Sequence, residues 1–533
     1  MIRRAGSSFS AIVLAAALAP ACAGHPGPML PADGAPTRRP RNPARVGEAT
    51  PTLVAGPTAR QAKADEPGLR QLREDLTRVF GAPIMARGVW AVDIRSLDTG
   101  QPIFALNPGK LTMPASNMKI VTLATAAEIL GWDYRFTTTL EANAPVENGI
   151  LRGDLFIRGT GDPTISRRNG RAGSVLFEWI VGLRSAGINK VAGRIIGDDQ
   201  AFDDERLGDG WSWDYLQYGY AAPVGALQFN ENVAQLTIAP GASTGDPAAV
   251  KLPAAAGLTV LNRTMTGPEG STAAIDYRRR LYRPVLEVTG SVPAGGSTVE
   301  RAIAVLNPTV HFAQSVKDAL ISAGIGVEGD AVDRHDVASE VVEVTEPRRI
   351  LVSTQSPTLR EMGTVLMKVS QNLYAETFVK AMGAAGGGIG TTAGGRLAME
   401  QLLMSWGIPR DAYIIADGSG LSRYNYVSAD MITAILERMY DDPRHRDPFL
   451  MTLPIAGRDG TVSSRMRDSL AEGNAVAKTG SIANVRSLSG YVRTRDGEML
   501  VFSILANDFP IPAATVNWTA DLAVEILAAF SRR

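Results

Sequence analysis

The chain has 533 residues, 45% of them hydrophobic, which is enough for about two to four domains with sizeable cores. Lys plus Arg and Asp plus Glu each number 54, so no basic field points to a nucleic acid or to an anionic membrane surface as partner. The four histidines, His25, His311, His335 and His445, lack H-E-x-x-H spacing and Cys22 is the only cysteine, which argues against a zinc peptidase; no metal or cofactor is expected.

The N-terminus has the pattern of an export signal, with Arg3-Arg4, an apolar stretch from Ala11 to Ala19, and the small-x-small site Ala21-Cys22-Ala23. The apolar stretch is too short to span a bilayer as a helix. The expected signal peptide is therefore 1–23, cleaved after Ala23. Lipid attachment at Cys22 is the alternative, but Ala19-Pro20-Ala21 lacks the leucine usual three positions before a lipidated cysteine. A single cysteine leaves no intrachain disulfide. Residues 24–66, rich in Pro, Ala, Arg and Gly without apolar periodicity, read as a flexible linker. Leu69, Leu72, Leu76, Val79 and Phe80 then form a helical stripe, followed by strand-like Val89 to Ile94 and Pro102 to Leu106.

Pro114 precedes a helix-prone run, Ala115 to Leu130, closed by Gly131. Within it Ser116 and Lys119 stand three apart and so share a face. A serine hydroxyl becomes a useful nucleophile when a neighbouring base removes its proton, and a lysine becomes that base when burial or nearby positive charge lowers its pKa. The helix start also offers backbone N–H groups to a developing oxyanion. An N-cap serine followed by a solvated lysine is the plain alternative.

Residues 139–302 change character: Leu155 to Arg158, Arg194 to Gly197 and Ala234 to Ile238 are strand-like runs between Gly/Pro turns, an inserted β-rich segment. Phe312 to Ala323 is expected to resume a helix of the main domain. Ser356-Pro357 opens a helix whose Leu359, Met362, Gly363 and Leu366 share a face; a second runs from Leu373 to Met382, and Ser370-Gln371-Asn372 lies between them. Asn474 to Ala477 is strand-like and ends in Lys478-Thr479-Gly480-Ser481; two more strands follow, Leu488 to Arg495 and Met499 to Ala506. On a sheet edge, Lys478 would bind a terminal carboxylate, and Gly480 would let an extended peptide approach the backbone. A last helix carrying Leu522, Ile526, Leu527 and Phe530 is placed beside the first. Gly241 to Gly245 matches G-x-S-x-G but runs into Asp246-Pro247, and Gly388 to Ala393 follows a helix rather than a strand, so both read as loops.

Taken together and in this order, Ser116-x-x-Lys119, Ser370-x-Asn372 and Lys478-Thr-Gly-Ser481 resemble the motifs of low-molecular-mass penicillin-binding proteins, the D-alanyl-D-alanine carboxypeptidases and endopeptidases of the peptidase S13 type. Gly161 to Thr164, Ala222 to Val224, Asn230 to Asn232 and Ala416 to Arg423 are also similar to stretches of that family. The resemblance implies an α+β fold: a serine transpeptidase-like antiparallel sheet flanked by helices, built from 67–138 and 303–533, with accessory domains at 139–302. It implies Ser116 as nucleophile, Lys119 as base, Ser370 as proton relay and Asn372 as orienting amide. Lys478 would hold the substrate carboxylate, with Thr479, Gly480 and Ser481 beside the substrate. Asp162 and Arg423 would lie near the stem-peptide side chain, where an ammonium and a carboxylate of a diaminopimelate-like end would suit them; an Asp-Pro turn and a surface arginine are the alternative. Ala483 stands where some relatives have glutamine, so side-chain selectivity does not carry over directly. The implied partners are peptidoglycan stem peptides ending in D-Ala-D-Ala, with β-lactams as covalent inhibitors, and the implied location is the periplasm. Two other readings are a β-lactamase, which lacks support because no E-x-x-L-N segment follows, and a penicillin-binding sensor without turnover.

Overall fold

The apolar stripe at the start of the folded chain forms a helix, Pro67–Phe80, that buries Leu69, Leu72, Leu76 and Phe80. It shares a core with the last helix, Ala513–Ala529, through Val516, Ala520, Ala523, Val524 and Leu527. The computed structural model describes residues 67–337 and 348–532, so the expected signal peptide and linker lie outside the described residues. Among the described residues no helix is long and apolar enough to cross a membrane.

The helix pair covers one face of a five-stranded antiparallel sheet ordered Pro102–Leu106, Val89–Ser96, Met499–Asn507, Val485–Arg493, Val476–Ile482. Alternation along the central strand shows why both faces need cover: Leu500, Phe502, Ile504 and Ala506 point into the helix-pair core, and Val501 and Leu505 into the opposite one. That opposite core is built around the helix Met118–Ile129, in which every residue from Met118 to Ala127 is buried. A helix apolar on all sides must be enclosed by other elements. Here Leu359–Lys368, Asn372–Ala384, Thr392–Ser405 and Ala429–Asp441 contribute to the enclosure. Lys478 sits on the edge strand of the sheet, paired in register with Ser489.

A second five-stranded sheet runs Ala331–Asp333, Ile195–Asp198, Leu155–Gly159, Thr137–Ala142, Arg349–Gln355, and it packs against the helices Arg171–Ser185 and Pro308–Ser322. This differs from the expected assignment of Phe312 to Ala323 to the main domain. Phe312 stacks on Trp179 with ring centroids 5.8 Å apart, and Val316 and Leu320 complete the same accessory core. Arg349–Gln355 likewise pairs with Thr137–Ala142, so the accessory sheet draws strands from beyond both 139 and 302. The helical stripe fixed which face would be buried; it carried no information about the surface that buries it. A smaller lobe consists of two three-stranded sheets, Ala249–Lys251, Val233–Ala239, Val299–Ala304 and Thr259–Gly267, Val285–Pro293, Ala274–Arg279, around Leu236, Ile238, Leu286, Val288 and Ile303.

Candidate active site

Ser116 lies in a single 3-10 turn, Ala115–Asn117, that runs into the buried helix. Two glycines allow this turn to form. Gly420 has φ 81°, and a Cβ there would lie 1.8 Å from the Ala115 carbonyl oxygen. A Cβ on Gly480 would meet Ser487 Oγ at 2.1 Å, the Pro114 carbonyl oxygen at 2.7 Å and the Ser116 nitrogen at 2.9 Å. The glycine of the K-T-G strand is thus required by the protein's own backbone, which closes on the turn holding Ser116.

Lys119 is completely buried, and its Nζ lies 3.0 Å from Ser116 Oγ, 2.6 Å from Asn372 Oδ1 and 2.7 Å from the Ser419 carbonyl oxygen. Burial lowers its pKa to about 7, against Asp417 and Glu376, whose charges raise it. Asn372 also donates from Nδ2 to the Tyr220 carbonyl at 2.7 Å, which turns its Oδ1 toward the lysine. As an ammonium, Lys119 offers three hydrogens to three acceptors. On losing a proton it retains two, and Asn372 Oδ1 and the Ser419 carbonyl can only accept. The lone pair is left for Ser116, the one partner with a hydrogen to give.

Ser370 occupies the left-handed region at φ 60°, a conformation costing roughly 1–2 kcal/mol for a residue with a Cβ. Lys478, also fully buried, donates to Ser370 Oγ at 2.8 Å and to the Thr479 carbonyl at 2.8 Å. Burial first, and Lys119 second, push the Lys478 pKa well below the ordinary lysine value. Thr479 Oγ1 bonds Thr461 Oγ1 at 2.7 Å, and Ser481 is exposed. Ser116, Ser370, Asn372 and Ser481 line one cavity of about 380 Å3, together with Tyr215 and Tyr220 from the inserted segment.

The two substrate-side candidates separate. Arg423 donates to the carbonyl of Ala483, which lines the cavity, and so stands at the rim. Asp162 is 2% exposed; its Oδ1 accepts from Thr164 N at 2.8 Å and Thr164 Oγ1 at 2.6 Å, and its Oδ2 pairs with Arg171 at 3.2 Å. Both oxygens of Asp162 hold a turn, and it does not line the cavity. Sequence reading missed two buried carboxylates. Glu376 accepts from the amides of Gly418 at 3.0 Å and Ser419 at 2.8 Å, and burial with Asp417 nearby pushes its pKa up to about 7. Asp417 accepts from Gly420 N, Ser422 N, Asn425 Nδ2 and Trp211 Nε1 at 2.6–2.9 Å. Glu376 was legible in principle, because it follows Asn372 by one helical turn on the same face. Tyr215 and Tyr220 left no local signal. Two His–carboxylate clusters, Glu128/Asp442/His445 and Asp199/Asp333/His335, carry Arg444 and Arg206 respectively on their carboxylates, and none of their residues lines the cavity.

The model of the D-Ala-D-Ala carboxypeptidase 3 (S13) family matches residues 72–527. A D-alanyl-D-alanine carboxypeptidase of Actinomadura sp. (strain R39) is 34% identical over 476 residues, covering 87% of this chain and 86% of its own length. The D-alanyl-D-alanine carboxypeptidase DacB of Haemophilus influenzae is 27% identical, covering 78% of this chain and 84% of its own. The crystal structure of penicillin binding protein 4 (dacB) from Haemophilus influenzae superimposes with a TM-score of 0.72 at 25% identity, over 86% of this chain and 99% of that one.

The electrostatics around Lys119 make a direct prediction. Its side chain should titrate near pH 7, followed by NMR of lysine labelled at the ε-carbon, and Glu376→Gln should lower that midpoint because it removes a charge that favours the ammonium. Titration near the ordinary value of 10.5, or a midpoint raised by the substitution, would contradict this account of the site.

Proposed function

We propose, for a chain that belongs to the D-Ala-D-Ala carboxypeptidase 3 (S13) family and is a serine-type hydrolase of it, one reaction: removal of the terminal D-alanine from peptidoglycan stem peptides through an acyl-enzyme on Ser116. The observation that carries this reading is the arrangement of acceptors around Lys119, which leaves its lone pair for the Ser116 hydroxyl. Lys119 takes the Ser116 proton as Oγ attacks the carbonyl of the penultimate D-alanine. The C–N bond breaks, Ser370 passes a proton to the departing amine, and Lys478 replenishes Ser370 across their 2.8 Å contact. Water then attacks the ester; its proton passes through Ser370 to Lys478, and Lys119 returns its proton to Ser116 Oγ as the ester C–O bond breaks, so both lysines regain their starting states.

The buried position of Lys478 modifies the role expected of it. Its Nζ donates to Ser370 Oγ and the Thr479 carbonyl from a fully buried position, and Thr479 Oγ1 is bonded to Thr461, so the substrate carboxylate meets the exposed Ser481 hydroxyl with the lysine behind it. A bound carboxylate favours the protonated lysine, which prepares it to feed Ser370. The same acyl transfer applied to a D-alanyl cross-link gives endopeptidase activity, and a β-lactam, whose amide imitates the scissile bond, leaves Ser116 acylated.

Ser116→Ala should abolish covalent labelling by a fluorescent penicillin while the protein stays folded; persistent covalent labelling would eliminate Ser116 as nucleophile. In the wild type the labelling rate should rise with pH through about 7, because the reactive form is neutral Lys119.

Arg423 is retained as a reader of the stem side chain from the cavity rim, and Asp162 is not. Arg423→Ala should lower kcat/KM for a diaminopimelate peptide by about 10- to 150-fold, the cost of one charged contact, and should spare an acetyl-lysine analogue. Lys478→Ala should impair both peptides. Equal losses on both for Arg423→Ala would remove it from substrate recognition.

Export to the periplasm fits a wall-directed activity and the N-terminal sequence pattern. The mature protein should begin at Gly24; intact mass showing a diacylated Cys22 would make it a lipoprotein instead.

A further inference from the structure

Beside the catalytic cavity, the smaller β-lobe presents a second groove of about 390 Å3 that has no part in the reaction above. One side of the groove is the hairpin tip joining Ala274–Arg279 to Val285–Pro293, and the other is the turn Trp213–Tyr215. That turn faces two ways: Tyr215 lines the catalytic cavity, and Trp213, 52% exposed, lines the groove. Tyr220, Tyr218 and Tyr277 form an aromatic row leading from the cavity to the hairpin strand, with ring centroids 5.3 Å apart at each step. The groove is therefore fastened to the cavity mouth by packed side chains.

Its chemistry is cationic and aromatic. Arg279, Arg280 and Arg283 line it, and no carboxylate does. Arg280 is shared with Glu287, Arg279 donates from Nη2 to the Ala304 carbonyl at 2.6 Å and keeps its Nε buried without a partner, and the Arg283 side chain pairs with nothing among the described residues. Tyr282 is fully exposed and held at φ 63°, a conformation glycine adopts without strain. A large aromatic ring kept in water on strained backbone gains nothing within the fold; contact with a ligand would give it one.

We infer that this groove binds an acidic peptide arm covalently joined to the one being cleaved: the second stem peptide of a cross-linked peptidoglycan fragment. The inference rests on the substrate class proposed above. Stem peptides carry free carboxylates, which guanidinium forks pair with bidentately, and flat aromatic faces cover peptide backbone at low entropic cost. An anionic bilayer would satisfy the same arginines and tyrosine. The concavity of the groove and its attachment to the cavity through Trp213–Tyr215 favour the peptide.

The test uses the full-length protein with Tyr282→Gly and Arg283→Glu combined, both at exposed positions outside the catalytic cavity. D-alanine release is measured from a cross-linked dimer retaining one D-Ala-D-Ala end and from a short D-Ala-D-Ala tripeptide. The expected result is about a tenfold or greater loss of kcat/KM on the dimer, with the tripeptide and penicillin acylation within about twofold of wild type. Unchanged kinetics on the dimer overturn the inference, as do equal losses on dimer and tripeptide. If wild-type protein neither cleaves the tripeptide nor is acylated, the proposed reaction has failed rather than the groove. Calorimetry of the dimer with Ser116→Ala protein, with and without the groove substitutions, then decides the groove alone: equal affinities overturn it. Sedimentation with phosphatidylglycerol vesicles completes the test, because vesicle binding lost in the variant together with unchanged dimer kinetics would make the surface a membrane contact.

Discussion

The site depends on the burial of Lys119 without an ion pair. Its three hydrogen-bond partners are neutral, and the nearby carboxylates of Glu376 and Asp417 are occupied by backbone amides and by the side chains of Asn425 and Trp211. Desolvation alone destabilises a buried ammonium by several kcal/mol, and a carboxylate in direct contact would restore it. Keeping those charges one bond removed places the lysine between the two extremes, near pH 7, where it gives and takes protons readily. Glu376 shows how this is built. Its carboxylate grips the Gly418 and Ser419 amides, and the carbonyls of the same two residues accept from Thr122 and Lys119 of the buried central helix.

That arrangement requires segments far apart in the chain to meet within hydrogen-bond distance. Lys119 and Asn372 are separated by 253 positions, and Ser370 and Lys478 by 108. Lys119 lies on the buried central helix, Asn372 at the start of a second helix and Lys478 on the edge strand of the main sheet, with Ser370 in the junction just before that second helix. Close backbone approach at Gly420 and Gly480 then sets their spacing: a side chain at Gly480 would push the Ser116 turn away from the strand, and one at Gly420 would collide with the Ala115 carbonyl of the same turn.

The inserted structure takes part in this positioning. Tyr220 holds the Asn372 amide, Glu231 accepts from Gln371 at 2.7 Å, and Gln228 donates to Thr377 at 2.8 Å. Three contacts thus fasten the first turns of the helix that bears Asn372, while Tyr215 and Tyr220 form a wall of the cavity. A polar junction between two helices is thereby oriented from the accessory structure, which keeps the Asn372 carbonyl pointed at Lys119.

The candidate site residues and the strand runs of the main sheet are legible in the amino-acid order alone. Three short motifs stand in fixed local spacing, apolar runs mark Val89–Ser96 and Met499–Asn507 as strands, which are buried on both faces, and a helical stripe selects the buried face of Pro67–Phe80. What those faces meet was set by contacts between distant segments. These assigned the stripe of Phe312, Val316 and Leu320 to the accessory core, confined Asp162 to a turn, turned Lys478 inward onto Ser370, and brought Glu376, Tyr215 and Tyr220 to the site. One cause is common to all of these. Periodicity and motif spacing are local properties of the chain, whereas desolvation, hydrogen-bond partners and the pKa values they set depend on which distant backbone closes over a side chain.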